Sequence, residues 1–288
     1  MMDGILNLNK PPGMTSHDVV DRVRAVARQR RVGHAGTLDP LATGVLLVCL
    51  GRATRLAEYL MASPKTYRAH IRLGVTTDTY DAEGRIVEER PVRVTRPEVE
   101  AALERFRGRI LQIPPMFSAV KRKGQPLYQL ARQGITVERK PRPVEIHELR
   151  LTAWEPPDLT LEVTCSPGTY IRSLAHDLGR TLGCGAHLAG LVRLASGDFR
   201  LEDAVPLEEL TPERLPEVLL PPDVALRRYP AFHLDERAAR AVRSGRAIAG
   251  PPPKGKPLAR AYGPDGSFLA VLEYRPNRQV WHPRKVFA

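Results

Sequence analysis

Cysteine is scarce in this chain of 288 residues, with only Cys49, Cys165 and Cys184 far apart along the sequence. Three cysteines without a Cys-x-x-Cys pair argue against a disulfide framework and against a zinc ribbon. Long apolar runs are also missing, because no stretch of about 18 apolar residues occurs, and this excludes a membrane-spanning helix. The first ten residues lack a basic segment followed by an apolar one, so we expect a cytoplasmic protein without a secretory signal.

Several sequence signatures of catalysis are absent as well. There is no Gly-x-x-x-x-Gly-Lys-Ser/Thr phosphate loop, and no His-x-Glu with a downstream Pro-Cys-x-x-Cys, which excludes a zinc deaminase. His176, Cys184 and His187 fall short of the usual four zinc ligands. Residues 183–185 (Gly-Cys-Gly) resemble the glycine turn of methyltransferases, but that turn must follow a strand, and residues 171–182 have helical periodicity. A zinc site and a methyl-transfer site are therefore the less favoured alternatives.

Acidic residues are few in two parts of the chain, although the whole carries 44 Lys and Arg against 32 Asp and Glu, a net charge of +12. Residues 105–143 hold 10 basic and 1 acidic residue, and residues 225–288 hold 13 and 4. Between them, residues 144–224 hold 6 basic and 14 acidic residues. Most of the cations are arginines, whose planar fork binds phosphate and stacks on bases, and this favours a nucleic-acid partner.

Strands and helices are predicted without strict alternation, which favours an α+β fold with a mixed sheet. A capping box at Thr15 begins a helix that we expect to end near Arg30 and Arg31, and Gly108 is expected to cap another helix. Residues 105–143 are interpreted as a surface insertion, a Pro-rich linker is expected at 219–223, and a small, mostly β domain at 225–288. Periodicity predicts strands at 45–50, 66–73, 85–87, 159–165 and 267–274, and helices at 95–106, 127–131, 171–182 and 234–242.

An acidic residue in a glycine-rich loop is the most informative feature of the sequence. Asp39 precedes Pro40, and an isolated Asp-Pro is usually an ordinary turn. Here it shares residues 33–44 with His34, with two threonines and with glycines that let a backbone approach a ligand closely. The loop follows a basic segment at residues 28–31, which suits contact with phosphates.

This loop resembles the catalytic loop of the TruB family, the tRNA pseudouridine synthases that act on uridine 55. Several further stretches match in the family's order and together cover about residues 1–220. The basic block at 105–143 and the short start before Lys10 favour the stand-alone bacterial type over the guide-RNA-dependent relatives. The matching stretches are 33–44 (GHAGTLDPLATG), 8–16 (LNKPPGMTS), 65–69 (KTYRA), 77–84 (TDTYDAEG), 114–121 (PPMFSAVK) and 168–172 (GTYIR).

The resemblance implies an isomerisation in which uracil leaves its ribose, rotates and rejoins through C5. It implies no cofactor and no metal. Asp39 matches the nucleophile or base, and Arg172 the arginine that pairs with it, which we expect to lower the Asp39 pKa. Tyr67 matches the tyrosine that stacks on the target base. Its strand position is equally typical of a core aromatic residue.

Four further residues match positions near the substrate in the family. Tyr170 and Leu191 match residues that line the uracil pocket, although plain core packing explains Leu191 nearly as well. His34 matches the histidine that helps hold the flipped-out nucleotide, because flipping leaves a space that a planar ring can fill. Lys10 is expected to act as structural support or as a phosphate contact.

The same resemblance assigns the domains and the partner. Residues 1–224 correspond to a largely antiparallel catalytic domain with flanking helices, and residues 105–143 to a thumb-like clamp. Residues 225–288 resemble a small PUA-like RNA-binding module. The implied partner is the T-arm of tRNA, bound by a monomer, and no protein partner or membrane is implied. A second hypothesis, drawn from the basic blocks, is an RNA chaperone or ribosome-assembly factor that remodels tRNA without depending on catalysis.

The basic blocks predict a strong dependence of RNA affinity on salt. If residues 105–143 and 225–288 contact phosphates, the association constant for a T-arm hairpin should fall more than roughly tenfold between 50 and 200 mM salt, because counterions are released on binding. Fluorescence anisotropy at several salt concentrations measures this slope. Affinity that does not change with salt would contradict the assignment of either block to phosphate binding.

Overall fold

The computed structural model describes residues 2–122 and 124–287, so Lys123 of the basic block lies outside the described residues. The described helices are α1 (Ser16–Ala27), α2 (Ala57–Met61), α3 (Arg96–Leu103), α4 (Leu127–Arg132), α5 (Ile171–Thr181), α6 (Leu215–Val218) and α7 (Glu236–Arg243). None of these helices is long and apolar enough to cross a membrane. The described strands are β1 (Gly4–Lys10), β2 (Val32–His34), β3 (Thr43–Leu50), β4 (Lys65–Leu73), β5 (Val75–Thr77), β6 (Ile86–Glu89), β7 (Gly108–Gln112), β8 (Lys121–Arg122), β9 (Gln125–Pro126), β10 (Arg142–Glu155), β11 (Asp158–Cys165), β12 (Ala186–Ser196), β13 (Phe199–Arg200), β14 (Val205–Pro206), β15 (Ala231–His233), β16 (Leu258–Tyr262), β17 (Phe268–Arg275) and β18 (Val280–Val286).

One large sheet forms the body of the molecule. Its strands lie in the order β14-β1-β3-β12-β4-β11-β10-β7, with β2 added to β3 and β13 added to β12. The pairs β1–β14 and β3–β12 are parallel, and the other pairs of this sheet are antiparallel. The predicted α+β fold with a mixed, largely antiparallel sheet is confirmed.

Strand β3 is buried on both faces, which explains its unbroken apolar sequence. Successive side chains of a strand point to opposite faces. Leu46, Val48 and Leu50 therefore pack in a core with the buried faces of α1, α3 and α5. Val45 and Leu47 pack on the other face, in a second core that includes residues of the C-terminal domain. The predicted strand at 45–50 is confirmed, and it joins the two cores.

Helix α1 begins as its sequence predicts and ends earlier. The Thr15 hydroxyl accepts a hydrogen bond from the Asp18 amide, and the Asp18 carboxylate accepts one from the Thr15 amide, which completes the capping box. The expected end near Arg30 is wrong, because Arg28 adopts a left-handed backbone (φ 49°) and its amide turns back to Ala25. That cap ends the helix at Ala27.

Two expectations for residues 85–143 are corrected. Helix α3 ends at Leu103 and continues as a 3-10 turn, so Gly108 (φ 73°) does not cap it and instead begins β7. Since β7 pairs with β10 at the edge of the large sheet, the first residues of the basic block belong to that sheet and not to a separate surface insertion. The predicted hairpin partner at 85–87 lies in β6 and pairs with β5 in a small sheet of its own.

The C-terminal domain is a four-stranded sheet, in the order β15-β16-β17-β18, covered by α7. The region expected to be a linker is packed, because Leu220 bridges to Ile5 of β1 and a 3-10 turn at Pro222–Leu226 buries Leu226 completely. The predicted boundary between residues 224 and 225 falls within this turn. Phe287 packs in the same core, and its carbonyl accepts a hydrogen bond from Arg52.

The shared core predicts that the two domains stabilise each other. Leu226→Ala should lower the free energy of unfolding by about 2–5 kcal/mol, because it removes a fully buried side chain and leaves a cavity. Leu111→Ala is the control, since Leu111 is 71% exposed on β7. Urea unfolding followed by circular dichroism measures both. A variant of Leu226 as stable as the wild type would show that the turn does not support the core.

Candidate active site

The loop between β2 and β3 carries Asp39 and is tied down from two sides. At the start of α1, the Ser16 hydroxyl donates to the Leu38 carbonyl (3.0 Å) and accepts from the Leu38 amide (2.8 Å). On the other side, the Lys10 ammonium donates to the carbonyl of Pro40 at 3.2 Å. The residues on both sides of Asp39 are thus fixed, while the Asp39 side chain remains 36% exposed.

Arg172, in the first turn of α5, reaches the Asp39 carboxylate as the sequence resemblance implied. Its Nη2 donates to Oδ1 of Asp39 at 3.2 Å, and its Nε lies 3.0 Å from Oδ2 without being aligned for a hydrogen bond. Nη2 also donates to the carbonyl of Phe117 at 2.8 Å. The guanidinium is only 6% exposed, so it forms the floor of a site in which Asp39 is the accessible group.

A second carboxylate, Asp81, shares the same guanidinium, and it was not predicted as a site residue. Its Oδ2 lies 3.4 Å from Nη1 of Arg172, and Nη1 donates to the Thr79 carbonyl at 3.3 Å. The Thr79 hydroxyl (2.5 Å) and the Glu83 amide (3.1 Å) donate to Oδ1 of Asp81. Residues 77–84 had matched the family as a turn, and this turn supplies a buried carboxylate next to the Asp39–Arg172 pair.

The pKa of Asp39 differs in direction from the sequence-based expectation. Burial among the surrounding groups raises the pKa of the Asp39 carboxyl, and the neighbouring Asp81 carboxylate adds to the rise. The charges of Arg172 and Lys10 oppose it without reversing it. Arg172 therefore lowers the pKa of Asp39 as expected, but burial and the Asp81 carboxylate outweigh it, because one cation is shared between two carboxylates in a partly desolvated site.

Lys10 supports the loop and offers no donor to a phosphate. It is fully buried, and its ammonium donates to three carbonyls, those of Pro11 (2.8 Å), Met14 (2.6 Å) and Pro40 (3.2 Å). An ammonium has three donors, so its capacity is filled. Burial lowers the pKa of Lys10 to about 8. Of the two roles expected for Lys10, these contacts agree with structural support and not with a phosphate contact.

Arg193 is a buried residue of the site that was missed. It is 1% exposed on β12 and donates to the carbonyls of Gly36 (3.0 Å), Thr37 (3.3 Å) and Val45 (2.6 Å). These bonds clamp the loop at both ends. Gly44 (φ 97°) permits the approach, since a Cβ there would lie 2.3 Å from the Arg193 carbonyl oxygen. The sequence feature that could have revealed Arg193 is its charge at a position of β12 where the alternating pattern places a buried side chain.

Tyr67 lies on β4 next to this arginine, because Tyr67 and Arg193 are paired residues of β4 and β12. The ring is half-buried. Burial raises the pKa of the Tyr67 phenol, and the Arg193 guanidinium opposes the rise. The phenol is therefore protonated at neutral pH, and the ring packs against the core that contains Ala69 and Ile71. This packing agrees with the interpretation of Tyr67 as a core aromatic residue, and its stacking on a target base stays a prediction.

Tyr170 precedes α5 and is positioned through its backbone. Its amide donates to Oε1 of Gln112 (2.7 Å), and its carbonyl accepts from Nε2 of the same side chain (3.0 Å). Gln112 is buried at the end of β7 and was also missed. Through this pair, the edge strand that begins the basic block is connected directly to the residue two positions before Arg172.

Leu191 and His34 make no hydrogen bond or ion pair with Asp39 or Arg172 among the described residues. Leu191 is 8% exposed on β12 and packs in the main core, so core packing accounts for it without a substrate. His34 ends β2 and is half-buried, and its Nδ1 finds no hydrogen-bond partner among the described residues. Burial lowers the pKa of His34, with Arg193 adding to the effect, so the ring is neutral at physiological pH.

Two of the residues considered as zinc ligands, His176 and His187, make separate structural contacts. His176 stacks on Tyr80, and His187 bonds through Nδ1 to the carbonyl of Val75 (3.0 Å). Within residues 2–122 and 124–287, no group of three or more His, Cys, Asp or Glu side chains is arranged to hold a metal ion. The glycine turn at 183–185 follows α5 and not a strand, which is unlike the methyltransferase turn.

The fold is that of the pseudouridine synthase class. Along 99% of its length the chain is similar to a solved H/ACA ribonucleoprotein bound to a substrate RNA containing 2′-deoxyuridine, with a TM-score of 0.74, 25% identity and 85% of that chain covered. A Cbf5-Nop10-Gar1 complex matches with a TM-score of 0.76, 27% identity and the same coverage of both chains.

The chain belongs to the TruB family of pseudouridylate synthases. The model of the family's N-terminal domain matches residues 24–171, and two C-terminal models, described as tRNA pseudouridylate synthase B C-terminal domain and tRNA pseudouridine synthase II, C terminal, match residues 172–227 and 229–288. A relative from Dehalococcoides mccartyi, named tRNA pseudouridine synthase B, is 47% identical over 99% of this chain and 97% of its own. One of the same name from Pseudomonas aeruginosa is 44% identical over 99% and 96%. The predicted family, its bacterial branch and the isomerase class are confirmed.

The charge arrangement predicts how pH affects turnover. If Asp39 is the catalytic carboxylate that the motif resemblance implies, the active form needs it ionised, so kcat/KM should fall as the pH drops through the raised pKa of this group. Arg172→Lys should move this acid limb to higher pH by roughly one unit or more, because a point charge stabilises the carboxylate less than the guanidinium does. A pH profile of pseudouridine formation measures the shift. Arg180→Lys, on the exposed side of α5, is the control, and an unshifted limb in Arg172→Lys would refute the assignment.

Proposed function

We propose that this protein isomerises uridine 55 in the T loop of tRNA to pseudouridine. The relatives reported above carry the name tRNA pseudouridine synthase B, which supports tRNA as the substrate. The observation that carries the proposal is the pairing of an accessible Asp39 carboxylate with the buried Arg172 guanidinium in a family of pseudouridylate synthases. The T-loop position rests on the motif resemblance.

The reaction breaks the N1–C1′ bond of uridine and forms a C5–C1′ bond, and the C5 proton leaves while N1 gains one. Asp39 acts as the nucleophile or base, by attack on C1′, by addition to C6 or by removal of the C2′ proton. Each route needs an ionised carboxylate held in a fixed orientation, which the contacts from Arg172 supply. No redox change and no outside group enter this balance, so the proposal includes no cofactor.

The other predicted residues receive roles that fit their surroundings. Tyr67 stacks on the target base, since it lies on β4 beside Arg193, which holds the Asp39 loop, and the charge of Asp39 acts on its protonated phenol. Tyr170 and Leu191 line the uracil pocket. His34 holds the displaced nucleotide, because a neutral, half-buried ring can stack on it.

The RNA is held by charges outside the pocket. Residues 113–142 and the C-terminal domain carry most of the net positive charge, and both are suited to the phosphates of a T-arm. We propose that residues 105–143 act as a thumb-like clamp and residues 225–288 as a PUA-like module. The protein acts as a stand-alone monomer in the cytoplasm, with tRNA as its partner.

Removal of the Asp39 carboxylate tests the proposal. Asp39→Asn should abolish tritium release from C5-labelled uridine in a T-arm hairpin, because an amide cannot act as nucleophile or base. Binding of the hairpin should persist within roughly tenfold, since phosphate contacts supply most of the affinity. Asp158→Asn is the matched control, an exposed carboxylate on β11 that should leave the rate unchanged.

Three outcomes would overturn parts of the proposal. Tritium release by Asp39→Asn at a rate near that of the wild type would refute the catalytic role of Asp39. Wild-type protein that binds and remodels the hairpin without any tritium release would instead favour the RNA chaperone hypothesis. A hairpin in which only uridine 55 is replaced by cytidine should release no tritium, and release from it would refute the T-loop position.

A further inference from the structure

Three consecutive residues of the turn before β6, Thr79, Tyr80 and Asp81, contact one face of α5. Arg172 and His176 are four residues apart on this helix and therefore lie on the same face. Arg172 contacts the Thr79 carbonyl at 3.3 Å and the Asp81 carboxylate at 3.4 Å. One helical turn further along, the rings of His176 and Tyr80 stack at 3.8 Å between centroids, with 13° between their planes.

The backbone of Tyr80 has an unusual conformation that the stack helps to define. Its φ is 66°, in the left-handed region that residues with a side chain seldom adopt. The Tyr80 amide donates to the carbonyl of Thr77 (3.3 Å), and its carbonyl accepts from the amide of Leu188 on β12 (3.0 Å). Non-glycine residues in this region persist where the surroundings hold them, and such positions are concentrated near functional sites.

His176 makes its principal contact through its ring face. Its Nδ1 is buried and has no hydrogen-bond partner within the described ranges. Burial lowers the pKa of His176 to about 4, and the charges of Arg180 on α5 and Arg139 in the basic block act in the same direction. The imidazole is therefore neutral at physiological pH, so no charge of its own contributes to the site. The His176 ring contacts the turn through its flat face, which stacks on the Tyr80 ring.

We infer that the Tyr80–His176 stack is a positioning device for the reaction: it holds residues 79–81 against α5 so that Thr79 and Asp81 orient the Arg172 guanidinium toward Asp39. Neither ring touches the reacting atoms in this assignment. The inference rests on the proposed function, because Asp39 is the group whose orientation matters.

The consequence of losing the stack follows from the contacts of Arg172. If the turn moves, the Arg172 guanidinium loses the Thr79 carbonyl and the Asp81 carboxylate, two of the acceptors that fix its plane. Its contacts with the Asp39 carboxylate then become less well oriented. Small displacements of a reacting group lower turnover steeply, whereas RNA held by distant phosphate contacts still binds. The expected defect therefore lies in kcat and in the acid limb of the pH profile, and KM for the hairpin changes little.

The test compares variants that keep or remove the stacked ring. His176→Ala should lower kcat for tritium release roughly tenfold or more, with KM within about threefold of the wild type, and should move the acid limb to higher pH. His176→Phe keeps a flat ring and should recover most of the lost rate. His17→Ala, an exposed histidine on α1, is the control for loss of an imidazole.

A second pair of variants keeps the inference testable if His176→Ala folds poorly. Asparagine tolerates the left-handed backbone, so Tyr80→Asn removes the ring while retaining the conformation, and Tyr80→Phe retains both. We expect Tyr80→Asn to show the same defect in kcat and pH profile, and Tyr80→Phe to resemble the wild type. Unfolding in urea, measured for each variant, confirms that the protein assayed is folded.

The outcomes separate this inference from the proposed function. Wild-type kcat and an unshifted pH profile in Tyr80→Asn and His176→Ala would overturn the positioning role while leaving Asp39 unaffected. A rate for His176→Phe as low as that for His176→Ala would overturn it too, because the imidazole nitrogens and not the stacked ring would then matter. Absence of tritium release from the wild type would instead refute the proposed function.

Discussion

One guanidinium shared between two carboxylates is the interaction on which the site depends. Arg172 is almost completely buried, and a buried cation requires opposite charges and hydrogen-bond acceptors around it. Asp39, Asp81 and two backbone carbonyls provide them, and these partners come from segments far apart in the chain. The loop before β3, the turn before β6 and the start of the basic block therefore converge on one side chain. Loss of Arg172 would leave two carboxylates close together without their common partner.

The sheet gives this arrangement a rigid base. β3 and β12 are parallel neighbours beside the Asp39 loop. There the Arg193 guanidinium donates hydrogen bonds to three backbone carbonyls, two in the loop and one in β3, and to no carboxylate among the described residues. From β1, the Lys10 ammonium also donates only to backbone carbonyls, one of which belongs to Pro40, the residue after Asp39. Two buried cations thus hold the backbone on either side of Asp39 without competing for its carboxylate. The alternating faces of β3 also connect this base to the core of the C-terminal domain.

The sequence predicted the fold class, the family and the pair of Asp39 and Arg172, because these depend on periodicity and on motifs of consecutive residues. Arg193 and Gln112 could not be found that way, since each is a single polar residue whose partners are backbone groups brought near only by folding. Asp81 lay within a matched motif but looked like an ordinary turn residue. The linker expected at 219–223 was wrong for a related reason: proline signals a break in regular structure, and it carries no information on whether the irregular segment is packed.

The near balance of charge within the pocket has a consequence for how such an enzyme can diverge. Asp39 and Asp81 are offset by Arg172 and Lys10, so the pocket itself adds little long-range attraction for a polyanion. Under the proposed function, capture of the RNA and conversion of its base are therefore encoded by separate sets of residues. Surface arginines can be gained or lost as ionic conditions change, and the rate of association will follow them. The buried residues around Asp39 cannot change in this way without losing their partners. Relatives from environments of different salinity should therefore differ in their surface arginines and share the same buried residues.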